Sequence, residues 1–149
     1  MKMTSQVTSK KKQRRALHGV LLLNKPRGIS SAQALARAKW LMNAEKAGHT
    51  GTLDPLADGL LPLCFGHATK LANDLLDADK TYIAGIVLGK STTTGDREGE
   101  VTFTSDAVIT RAQWDAILPQ FTGEIAQIPP TYSALKKDGK PLHELPRAG

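Results

Sequence analysis

The chain has 149 residues, 40% hydrophobic and 23% charged, and a formal net charge of +6 at neutral pH. That length and apolar content suit one globular domain with a core of its own and exclude a disordered chain. No apolar run approaches membrane-span length, the best being residues 19–23, and a single cysteine, Cys64, excludes an intrachain disulfide.

The start of the chain is basic, but no apolar signal region follows, so the expected home is a reducing cytoplasm. Residues 1–15 hold six basic residues and no acid, which accounts for the whole +6; the other fourteen basic and fourteen acidic residues cancel. The high isoelectric point therefore reports a basic tail, residues 1–16, read as disordered and suited either to nucleic acid or to solubility. Within the body, residues 25–51 are net +4 and residues 74–106 net −4, so an anionic partner is steered towards the first of these.

In chain order, GVLLLN at residues 19–24 is a continuous apolar run and reads as a buried strand. Lys25-Pro26-Arg27-Gly28 turns the chain, and Ser30 or Ser31 caps a helix whose inward face is Ala34, Leu35, Ala38, Leu41 and Met42, with Asn43 as its stop. Residues 44–59 read as a loop. A strand follows over 60–65, in which Pro62 is confined to an edge, a start or a bulge. A helix is expected over 67–76, and KTYIAGIVL, residues 80–88, is the clearest strand for its β-branched bulk. Residues 90–99 read as a polar loop and 100–104 as a short strand. Thr110 caps a helix reaching about Leu118 and closed by Pro119. Residues 123–128 are extended, 131–136 a strand, Asp138-Gly139 a turn, and 141–149 a weak helix interrupted by Pro146.

The loop GHTGTLDPLADGLLP, residues 48–62, concentrates the chemistry. Gly48, Gly51 and Gly59 admit backbone angles closed to other residues, and Pro55 pushes Asp54 out of the helical region. Asp54 thus sits on a shaped loop with its carboxylate aimed by the backbone. Loops of this kind carry sites more often than core; the plainer alternative is a Gly/Pro-rich connection with a capping aspartate. A carboxylate is ionised at neutral pH and attacks without an added base. Other patterns fail. GIVLGKS, residues 85–91, has three residues between its glycines where a phosphate loop needs four, and Cys64 with His67 does not make a zinc site.

GVLLLNKPRG (residues 19–28), GHTGTLDPLADGLLP (48–62), Lys80-Thr81-Tyr82 and PTYSALK (130–136) together resemble the TruB family of bacterial tRNA pseudouridine-55 synthases, in the family's order and with fitting intervals. The resemblance implies an α/β fold whose mixed, mainly antiparallel sheet is flanked by helices. It implies isomerisation of one T-loop uridine, a C–N glycosidic bond giving way to a C–C bond, with no metal and no organic cofactor. The uridine is flipped out of the RNA stack first. Asp54 matches the catalytic aspartate; attack on ribose C1′, attack on base C6 and a glycal route all stay open. Tyr82 matches an active-site tyrosine that stacks on the flipped base, and His49 a histidine that packs against the RNA. Lys25 with Pro26 matches a motif beside the site, where packing and phosphate contact are expected. Tyr132, Ser133 and Lys136 match pocket wall and RNA support. The implied partner is the tRNA T-arm, with no membrane, and the full-length form is expected to be a monomer.

Full-length relatives carry, after the point matching Gly149, an arginine that pairs with the catalytic carboxylate, further pocket residues and a PUA-type domain. The 149-residue chain is therefore expected to be an incomplete catalytic domain over residues 17–149, inactive or nearly so alone, with an open sheet edge. His143 stands where the family has an aromatic residue, and Pro146 interrupts the helix there. Two alternatives are a non-catalytic tRNA-binding or RNA-folding module, and a guide-RNA-dependent relative working with protein partners.

Overall fold

The computed structural model describes residues 13–128, 136–137 and 140–141, and the chain divides into two compact units, Met1–Tyr82 and Ile83–Gly149. In the first unit, strands β1 (Gly19–Lys25), β2 (Ala47–His49) and β3 (Gly59–Phe65) form an antiparallel sheet in the order β1-β3-β2. The β1–β3 ladder runs unbroken from Gly19↔Phe65 to Lys25↔Gly59, and β2 pairs with β3 only over Ala47↔Phe65 to His49↔Leu63. The apolar run of β1 is buried on one face only: Leu21 and Leu23 pack on the core while Val20 and Leu22 are exposed. The expectation of a strand buried on both faces is thus corrected to the alternation of a half-buried one.

Pro62 sits in the middle strand, yet costs no ladder bond. Its carbonyl accepts from Thr50 N–H at 3.2 Å, on the side where β2 has just ended. The nitrogen of an antiparallel residue points to the same side as its carbonyl, so the missing N–H faces a gap in the pairing. β2 itself was not legible: Ala-Gly-His has no strand pattern, and the three residues are recruited by the edge of β3.

Helix α1 (Ser31–Leu41) starts at Ser30, whose hydroxyl accepts from Gln33 N–H at 3.2 Å while the Gln33 side chain accepts from Ser30 N–H at 2.8 Å, a reciprocal cap. Ala34 and Ala38 pack in one core with Leu61, Leu63 and Phe65 of β3, each large side chain there worth about 1.5–3 kcal/mol of burial. Leu41 and Met42, expected inward, are exposed at the C-terminal end of the helix. Asn43 stops it as expected, in the left-handed region at φ 51°. Arg15, in the basic tail by composition, forms an isolated parallel bridge with Ala44.

The helix expected over 67–76 is a 3-10 segment, Gly66–Leu71, continued by α2 (Ala72–Leu76). The strand expected over 80–88 is absent: these residues form no strand and are exposed, Ile83 completely. β-rich composition makes a strand only where a neighbour satisfies its backbone, and no described strand lies alongside.

In the second unit, β4 (Lys90–Thr92) and β5 (Val101–Thr104) make an antiparallel hairpin, and α3 (Arg111–Ile117) is capped by Thr110 and Gln113. That helix ends at Ile117 with Leu118 as its cap, just before Pro119 as expected, and a 3-10 turn, Leu118–Phe121, follows. Residues 123–128 form no strand. β6 (Lys136–Lys137) pairs with β7 (Lys140–Pro141) around Asp138-Gly139, which lies outside the described residues, as do residues 131–135 and 142–149. Among the described residues every ladder is antiparallel, in line with the mainly antiparallel sheet expected, and the isolated Arg15–Ala44 bridge is parallel.

Candidate active site

Both β1 and β2 run opposite to β3: β1 ends with Lys25 opposite Gly59, the start of β3, whereas β2 ends with His49 opposite Leu63, in the second half of β3. Lys25 ends β1, His49 ends β2, and the loop carrying Asp54 joins β2 to β3. Sheet topology therefore brings Lys25 and the end of the Asp54 loop to the start of β3, with His49 on the strand that leads into that loop.

The loop is held from both sides of Asp54. Before it, Leu53 packs against the core, and its N–H and C=O both bond the hydroxyl of Ser31, at 2.9 and 3.0 Å. After it, the Pro55 carbonyl accepts from Gly28 N–H at 2.8 Å. The Asp54 carbonyl accepts from Ala57 N–H at 3.0 Å, a β-turn with Asp at the first position and Pro at the second, where each is favoured. Gly28 has φ +86°, an angle that only glycine adopts without strain. The backbone around Asp54 is thus pinned while its side chain is exposed. Asp58, read from sequence as a loop carboxylate, takes a bond from Arg27 Nε at 3.0 Å. That pair is exposed and adds at most about 1 kcal/mol, but it ties the two loops once more.

Lys25 departs from its expected phosphate contact. Its side chain is fully buried, and its ammonium donates to the carbonyls of Pro26 at 3.0 Å and Ile29 at 2.8 Å. The charge is spent inside the protein, holding the turn that supplies Gly28 and Ser31. His49 is half-buried, and its Nδ1 is buried with no hydrogen-bond partner among the described residues. Such a group is normally satisfied in a finished site. Tyr82 is not set by the sheet: it stands 66% exposed on an irregular segment. Tyr132 and Ser133 lie outside the described residues, and Lys136 is described only as backbone of β6.

Cys64 is buried on β3, and burial raises its thiol above the ordinary cysteine value, which makes it an unreactive core group. No group of three or more metal-type ligands occurs among the described residues, and none of their helices is long and apolar enough to cross a membrane. The residue that pattern reading missed is Ser31. Its only signal was a serine doublet, one serine more than a helix cap needs.

The sequence pattern described as TruB family pseudouridylate synthase (N terminal domain) matches residues 39–149. A relative from Cupriavidus metallidurans, named tRNA pseudouridine synthase B, is 65% identical over 136 residues, which is 91% of this chain and 43% of that protein. Another of the same name, from Stutzerimonas stutzeri, is 59% identical over 139 residues, 93% of this chain and 46% of that protein. The chain thus spans less than half the length of these curated relatives. Among solved structures, a Cbf5-Nop10-Gar1 complex matches 80% of this chain and 31% of its own with TM-score 0.57 and 32% identity. An H/ACA RNP bound to a substrate RNA containing 2′-deoxyuridine matches 74% and 29% with TM-score 0.52 and 32% identity. With the family pattern extending over well more than half of its residues, the chain belongs to the TruB family of pseudouridylate synthases, matching its N-terminal domain.

Proposed function

We propose that the protein containing this chain converts uridine to pseudouridine in the T-loop of tRNA, and that Asp54 is its catalytic carboxylate. The observation that carries this reading is the pinned loop at the end of the sheet. The main chain on both sides of Asp54 is fixed, while the carboxylate is left exposed to meet a base flipped out of the RNA. His49 ends the strand that leads into this loop, has a buried nitrogen with no hydrogen-bond partner among the described residues, and lies against the incoming RNA. The net positive charge of residues 25–51 in the sequence favours an anionic partner. The substrate assignment leans on the gradient of similarity: relatives named for tRNA are 59–65% identical, and solved ribonucleoprotein relatives 32%. In this reading the T-arm is the recognised element, Tyr82 faces the base once the RNA is bound, and neither metal nor organic cofactor takes part. The complete protein works as a monomer in the cytoplasm.

Release of tritium from RNA labelled at uridine C5 tests the proposal, since the isomerisation replaces that hydrogen. With the complete protein and a T-arm substrate, Asp54→Asn is expected to lower kcat by about ten-thousand-fold or more while RNA affinity stays within about threefold. Turnover retained by Asp54→Asn would remove this carboxylate from the chemistry, and no tritium release by the wild type would leave an RNA-binding module.

A further inference from the structure

We infer that Ser31 is a positioning residue for catalysis: its buried hydroxyl sets the place of Asp54 by clamping both backbone polar groups of the residue before it. This rests on the reading of Asp54 as the catalytic carboxylate.

Ser31 is the first residue of α1, and its side chain is 1% exposed. Ser30 already makes the helix cap, so the start of α1 does not need the Ser31 hydroxyl. That hydroxyl accepts from Leu53 N–H at 2.9 Å and donates to Leu53 C=O at 3.0 Å. A hydroxyl both donates and accepts, so one oxygen replaces the neighbouring strand that Leu53 lacks. The two residues are 22 apart in the chain, so the clamp is a tertiary link between the first turn of α1 and the catalytic loop. Leu53 is also anchored through its side chain in the core. Beyond Asp54 a second link comes from the turn between β1 and α1, by Gly28 N–H on the Pro55 carbonyl. Alanine at position 31 removes both bonds at once and frees the loop on the side of Asp54 where no other backbone bond holds Leu53. A carboxylate that attacks must lie within a fraction of an ångström of its productive place, so the loss falls on the chemical step and not on RNA binding.

The test uses the complete protein, T-arm RNA and three variants, Ser31→Ala, Ser31→Thr and Asp54→Asn, with thermal unfolding followed alongside. Ser31→Ala is expected to lower kcat by about ten- to a hundredfold with KM within about twofold, at a temperature where it is fully folded. Exchange of the Leu53 amide with solvent is expected to quicken in Ser31→Ala, and Ser31→Thr, which keeps the hydroxyl, to regain most of kcat. Wild-type kcat in folded Ser31→Ala overturns the inference, as does a loss of kcat that only follows the loss of folded protein. If Ser31→Thr does not fold, the Leu53 exchange rate in Ser31→Ala decides: an unchanged rate overturns the clamp. Asp54→Asn separates the two claims. Turnover in that variant sinks the catalytic reading itself, whereas an inactive Asp54→Asn beside a fully active Ser31→Ala sinks only the positioning role.

Discussion

Lys25 and Asp54 are neighbours in the site but opposite in use. Lysine is among the residues least often buried, so nothing in the sequence suggests that Lys25 turns inward. The structure gives the reason: two carbonyls of the following turn, those of Pro26 and Ile29, converge on the ammonium. Replacing Lys25 by Met leaves both without a donor, and this is expected to destabilise the fold by about 1–3 kcal/mol, read from urea unfolding. The salt dependence of RNA affinity should stay as in the wild type. A slope reduced by about 0.7–0.9 with stability unchanged would return Lys25 to the phosphate contact first expected of it. Asp54 was legible because its neighbours are unusual: Pro55 and three glycines constrain the loop, and constraint is visible in sequence. The Ser31 clamp was not, because it depends on two segments meeting in space.

The elements show the same division between local and tertiary causes. Both longer helices could be read from their caps, Ser30 with Gln33 and Thr110 with Gln113, since a cap is local chemistry. The segment over residues 80–88 could not, since a strand is made by its partner and not by valine and isoleucine alone. The β4–β5 hairpin is held by a local device of its own. The Asp96 carboxylate accepts from the Thr94 hydroxyl at 2.6 Å and from the backbone N–H groups of Glu98 at 2.9 Å and Gly99 at 3.3 Å. These bonds, that of Thr94 foremost, hold the Asp96 carboxyl below its ordinary value. A carboxyl lowered in the folded state stabilises it fully above the unfolded value, and the contribution is lost as pH falls through the folded one. Titration of the Asp96 carboxyl by NMR should therefore show a midpoint below that of an unstructured peptide, and Thr94→Val should move it upward. Equal midpoints in the two proteins would remove Thr94 from that role.

For the whole molecule, the mixture of short helices and antiparallel strands was legible, and the order of the strands was not. Strand order decides the site. Because β3 lies between two strands running the other way, its N-terminal end meets Lys25 and the Asp54 loop, and β2, ending with His49 opposite Leu63, leads into that loop. No pattern in the sequence announced that the middle strand would be the one containing Pro62. The chain covers less than half of its curated relatives, and Tyr82, expected to stack on the base, is not positioned by this sheet. The proposed function has the pinned Asp54 loop modify one uridine of tRNA. Site-resolved mapping of pseudouridine in unmodified tRNA, incubated with the complete protein or with its Asp54→Asn variant, decides whether it does. The expected result is one new pseudouridine, in the T-loop, with the wild type and none with the variant; modification elsewhere, or modification by Asp54→Asn, would contradict it.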